Sequence, residues 1–112
     1  MQIQAMPTRT HKRSARLAQL IRIYENGQVS ELMDQTLDKL FSVEAAEAQR
    51  DVEEFSAALL KFEKRFGMES NDFYDRFEAG ELGDDTDFIE WASFIDMYRH
   101  AESRLAALRD EA

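Results

Sequence analysis

From Leu37 onward, apolar residues recur at spacings of 4, 4, 3, 4, 3, 4, 3 and 4: Leu37, Phe41, Ala45, Ala48, Val52, Phe55, Leu59, Phe62 and Phe66. From Phe41 this is a strict heptad seam, a pattern that falls on one face only if the backbone is α-helical. The boundaries are equally explicit. Ser30 is placed to cap the N-terminus, Glu31 and Asp34 suit the positive end of the helix dipole, and Lys64 and Arg65 suit the negative end. Gly67 is the natural stop. The spacing therefore predicts one helix from Ser30 to Phe66, about 50 Å long at 1.5 Å per residue. A helix of that length needs partners along it.

The chain supplies one. Met68 to Asp72 reads as a connector and N-cap leading into a short helix that holds Phe73, Tyr74 and Phe77 and ends in Ala79-Gly80-Glu81-Leu82-Gly83. Asp84, Asp85 and Asp87 then open a last helix. In it Phe88, Trp91, Ile95, Tyr98, Glu102 and Leu105 recur at 3, 4, 3, 4 and 3, with only Glu102 out of character. Phe94, Met97, Ala101 and Leu108 widen this stripe. The expected fold is all-α: the long helix forms an antiparallel hairpin with the C-terminal helix, across a coiled-coil-like seam, with a short connector helix and a short N-terminal helix. At about 35 Å the C-terminal helix covers only part of its partner. The rest of the seam is left for the N-terminal segment or for another molecule, so the seam residues Leu37 to Phe66 are candidate oligomer contacts and a homo-oligomer is expected.

Charge divides the chain in two. The 112 residues carry 23 Asp and Glu against 14 Lys and Arg, a net −9. Yet up to Ile23 there are five bases, Arg9, Lys12, Arg13, Arg16 and Arg22, and no acid, so the remainder carries −14. The expected organisation is a basic tail and short helix over 1–26 and an acidic hairpin domain over 27–112, separated by Asn26-Gly27. Met1 to Thr10 lack periodicity and read as a loose tail. From His11 to about Asn26 the apolar positions suit a helix, although Leu20 to Tyr24 also suit a strand. Leu17 to Ile23 is interrupted by Gln19 and Arg22 and makes a poor secretory signal, and no stretch approaches the ~18 apolar residues of a membrane span. A cytoplasmic location with no membrane contact is the expectation.

The same composition leaves few parts for catalysis. There is no cysteine, and the two histidines, His11 and His100, are far apart. Asp84-Asp85-Thr86-Asp87 resembles a cation loop only superficially. Counted from Asp84, the sixth and twelfth positions hold Ile89 and Ile95 where an EF-hand needs glycine and glutamate. Helix capping is the simpler role. No catalytic residue, no metal site and no cofactor is expected, and the chain is read as not an enzyme. The aromatics Phe73, Tyr74, Phe77, Phe88 and Trp91 are read first as core packing of the connector onto the hairpin; together with Asp84, Asp85 and Asp87 they are a candidate partner surface as the functional alternative. Arg9, Lys12, Arg13 and Arg16 are candidate nucleic-acid contacts without aromatic interleaving. Were Leu20 to Tyr24 a strand followed by two helices, the order would be that of a ribbon-helix-helix DNA-binding unit, although no helix break stands near Ser42 and Val43.

The phrase Phe62-Glu63-Lys64-Arg65-Phe66-Gly67-Met68, continued by Phe73-Tyr74-Asp75-Arg76-Phe77-Glu78-Ala79-Gly80-Glu81-Leu82-Gly83-Asp84-Asp85 and by Asp87-Phe88-Ile89-Glu90-Trp91, resembles small prokaryotic antitoxin proteins of toxin–antitoxin pairs. The resemblance covers about residues 30 to 108. It implies a helical, non-enzymatic protein that binds and neutralises a cognate small toxin, often an RNase. An acidic body fits a basic partner of that kind. A self-assembling coiled-coil scaffold is the alternative, and a DNA-binding regulator acting through the basic segment is a lesser one.

Overall fold

The computed structural model describes the backbone of residues 5–110 and the side chains of residues 12–110. It contains four helices, α1 (Ala5–Glu25), α2 (Glu31–Phe66), α3 (Ser70–Glu78) and α4 (Thr86–Leu108), and no strand among the described residues. The fold is the expected all-α helical hairpin, in which α2 packs against α4. For the N-terminal segment one open alternative is decided in favour of the expected helix, and one expectation is corrected. Leu20 to Tyr24 are helical, which removes the strand and with it the ribbon-helix-helix order. The helix also begins at Ala5, within what reads as a loose tail, because residues 5–10 contain no interior breaker beyond Pro7, which a helix tolerates in its first turn. Residues 1–4 of that expected tail lie outside the described residues.

Local chemistry sets the helix ends. At the close of α1 the Gln28 N–H donates to the Ile23 carbonyl at 2.9 Å and the Gly27 N–H to the Tyr24 carbonyl at 3.1 Å. This Schellman arrangement requires a left-handed residue, and Gly27 supplies it at φ 67°. Ser30 then caps α2 as expected, its Oγ accepting the Met33 N–H at 3.1 Å. α2 runs unbroken for 36 residues, about 54 Å at 1.5 Å per residue. Gly67, at φ 63°, ends it where the cations Lys64 and Arg65 occupy the last turn.

By packing, the chain forms two compact units, Met1–Lys39 and Leu40–Ala112. The first holds α1 and the start of α2, and in it the Tyr24 hydroxyl donates to Asp34 Oδ1 at 3.0 Å. The second holds the rest of α2 with α3 and α4 and contains an aromatic core. Phe73 and Trp91 are completely buried there, beside buried Leu59, Ala92 and Ile95. The two rings stack with centroids 3.9 Å apart and planes 4° from parallel. Phe62 and Phe66 of α2 stack on Trp91 at 5.6 and 5.5 Å, so the indole joins all three helices of this unit. Aromatic contacts of this kind add to the area they bury. Among the described residues no helix is long and apolar enough to cross a membrane.

Candidate functional site

Most of the seam is occupied by α4 of the same chain. Ala48 and Leu59 are buried and Ala45, Val52, Phe55, Phe62 and Phe66 half-buried. Phe55 packs against Phe94 and Phe66 against Phe88, with centroids 6.2 and 5.3 Å apart. The far end of the hairpin is marked by the Arg104–Glu44 ion pair and by Arg109 donating to Gln49 at 3.3 Å. N-terminal to Glu44 the seam changes character: Phe41 is 46% exposed, beside Leu40 and Val43 on the same exposed stretch. Leu37, in the other unit, is half-buried.

The candidate partner surface separates into two sets. Phe73 and Trp91 have no exposed area at all, and Tyr74, Phe77 and Phe88 are half-buried members of the same cluster. These aromatics pack the connector onto the hairpin, as the core-packing reading expects, and as candidate partner contacts Phe73 and Trp91 are corrected: both are wholly buried. Of the acids, Asp84 and Asp85 are exposed and Asp87 is half-buried. Asp85 caps α4, its Oδ1 accepting the Asp87 N–H at 2.8 Å. Asp87 in turn pairs with Arg65 at 2.8 Å and ties the start of α4 to the end of α2. Among the described residues no three His, Asp or Glu side chains converge as a metal site would require. Lys12, Arg13 and Arg16 are exposed on α1, whereas the side chain of Arg9 lies outside the described residues.

The groups that the second unit does bring together are different. Between α2, α3 and α4 lies an open cleft of about 800 Å³, floored by Leu59, Ser70 and Ile95 and walled by Glu63, Glu69, Asp75 and Glu102. One cation, Arg99, faces these four acids, and it is held in place by donating to Asn71 Oδ1 at 3.1 Å and lying 4.5 Å over the Tyr74 ring. Glu63 spends one oxygen on the Ser70 N–H, at 2.9 Å. Glu102 accepts the Tyr98 hydroxyl at 2.9 Å, which raises the Tyr98 pKa above 10.0, with burial adding to the shift. Glu69 and Asp75 are in no ion pair among the described residues. Such a cleft attracts a cationic side chain and repels phosphate. The sequence carried one signal for it: Glu102, the single acidic residue in the α4 seam, sits on the cleft wall. The acids from the other two helices had no visible reason to meet it. No protein family, characterised protein or solved structure matches this chain.

Proposed function

We propose that this chain is a non-enzymatic, antitoxin-like protein that binds and neutralises a small basic toxin, of the RNA-cleaving kind that its connector phrase suggests. The observation that carries the reading is the acidic cleft of the second unit, in which four carboxylates surround an apolar floor and face one tethered arginine. Residues 40–112 hold nineteen acids against eight Lys and Arg, so the field around the cleft is strongly negative as well. A basic protein is drawn to such a surface at long range and loses that attraction as salt is added. The aromatic core behind the cleft keeps its walls in register, so binding requires little ordering of the unit.

The test is expression of each neighbouring gene alone and together with this chain. Growth arrest by one neighbour, relieved by co-expression and accompanied by co-purification of the two proteins, is the expected result. Glu69→Lys with Asp75→Lys should abolish relief while leaving the helical signal intact. If neither neighbour is toxic without this chain, the reading fails.

A further inference from the structure

The α2–α4 pair has two sides, and the acidic cleft occupies only one. Along the other runs a groove made of two successive hollows of about 370 and 330 Å³. On α2 it is lined at helical spacings of 4, 3, 4 and 3 by Asp51, Phe55, Ala58, Phe62 and Arg65. On α4 the same spacings hold Glu90, Phe94, Met97, Ala101 and Arg104. The floor is apolar: Phe55, Ala58, Phe62 and Phe94 are half-buried, and Met97 stands 39% exposed at its middle.

The borders of the groove are charged in a diagonal pattern. On α2 the N-terminal half carries Glu47 and Asp51 and the C-terminal half Lys61 and Arg65, whereas on α4 Glu90 comes first and Arg104 last. Glu47, Asp51, Lys61 and Glu90 are in no ion pair among the described residues. These charges are symmetric about one level. The pairs 47 and 65, and 51 and 61, are centred on Ser56, and the pair 90 and 104 on Met97. Phe94 packs between Phe55 and Phe62, at 6.2 and 6.0 Å, so Met97, one turn on, comes level with residues 55 and 56 and shares a hollow with Phe55. One two-fold axis crossing both helices at this level therefore brings each of these bases beside an acid.

We propose that a second copy of this chain covers the groove about that axis, with α2 antiparallel on its partner's α2 and α4 antiparallel on its partner's α4. Lys61 then faces Asp51 of the partner subunit, Arg65 faces the partner's Glu47, and Glu90 faces the partner's Arg104. The two Met97 side chains meet on the axis and close the apolar floor. The face measures about 27 Å from Glu47 to Arg65 and about 20 Å across two helices, so two copies bury on the order of 1,000 Å², the lower bound of a specific interface. Helix α1 is too short to cover the C-terminal half of this face: Tyr24 is bonded to Asp34, α1 from there to Ala5 spans about 28 Å, and Lys61 lies about 40 Å beyond Asp34. The interface is self-complementary, so it closes at two copies. It leaves the acidic cleft free on the opposite side and stands apart from the toxin reading.

Light scattering coupled to size exclusion tests it on the full chain. The expected mass is twice that of the chain, falling toward one copy on dilution and in added salt. Met97→Asp should give one copy with the helical signal and the buried indole emission unchanged. Lys61→Glu with Arg65→Glu should raise the dimer dissociation constant at least about tenfold, and adding Glu47→Lys and Asp51→Lys to the same chain should restore most of the loss. The chain has no cysteine, so Met97→Cys should give an intermolecular disulfide on mild oxidation, whereas Ser103→Cys, exposed on another face of α4, should not. A single-copy mass at every concentration overturns the proposal, as does a charge swap that fails to restore the dimer. Equal cross-linking by the two cysteine variants overturns it as well.

Discussion

The Trp91 indole N–H donates to the Ser70 hydroxyl at 3.0 Å, in a core where both residues are buried. Ser70 is the first residue of α3, and the sequence pattern made it part of a connector and cap. Its backbone N–H is instead satisfied by Glu63 of α2, which leaves the hydroxyl to serve α4. One short residue therefore ties all three helices of the second unit. Ser70→Ala removes the acceptor and strands a buried N–H, at an expected cost of about 1–3 kcal/mol in a urea titration. Ser70→Thr keeps the oxygen and should recover part of that stability; an alanine variant as stable as the parent would show that the indole finds another partner.

The stacked pair Phe73 and Trp91 should be the most sensitive site in the chain. Both are wholly buried, and truncation of either to Ala is expected to cost about 3–5 kcal/mol. The two losses should be less than additive, because the rings are each other's neighbours. A double-mutant cycle followed by thermal unfolding measures the coupling.

Helix capping predicts smaller effects at the acidic cluster. Asp85→Ala loses the hydrogen bond to the Asp87 N–H and should cost about 0.5–2 kcal/mol. Asp87→Ala removes an ion pair with Arg65 whose side chains are 59% and 36% exposed, so solvent screening limits its worth to about 0.5 kcal/mol. The order Asp85 above Asp87 in chemical unfolding is the result that checks capping as the cluster's structural role.

Alkaline pH should loosen both units through the tyrosines. The hydrogen bond to Asp96, followed by burial, raises the Tyr74 pKa above 10.0. The Glu102 bond does the same for Tyr98, and partial burial followed by Asp34 does so for Tyr24. Folding favours the neutral phenol in each case, so the stabilisation is fully present below 10.0 and disappears as pH rises through the folded-state values. Tyrosinate absorbance of the native protein should therefore rise at higher pH than that of the urea-unfolded chain. Tyr74→Phe and Tyr98→Phe should each flatten the alkaline loss of stability. A native titration coinciding with the unfolded one contradicts these bonds.

Much of the candidate site was hidden in the sequence for a definable reason. Glu63, Glu69 and Asp75 are unremarkable in the sequence, Glu102 alone stood out in its seam, and only the packing of α2, α3 and α4 sets the four around one cleft. The dense aromatic set of the connector and α4 was conspicuous, but density says nothing of direction. Trp91 turns inward because its stacking partners Phe62 and Phe66 lie on the α2 seam, and Phe73 turns inward to stack on Trp91.

Local sequence marked α2 and α4 and four of the helix ends. Ser30, Gly27, Gly67 and Asp85 act on backbone groups within one turn of themselves, and the heptad spacing from Leu37 to Phe66 is a property of a single helix. Tertiary structure alone decided which groups meet across helices. Ser70 and Trp91 are 21 positions apart, and Arg104 and Glu44 are 60. Their contacts depend on how the rows of side chains on two helices interlock, a relation that no local pattern encodes. The same interlocking set where α4 runs out, leaving Phe41 exposed on a seam whose later positions are covered.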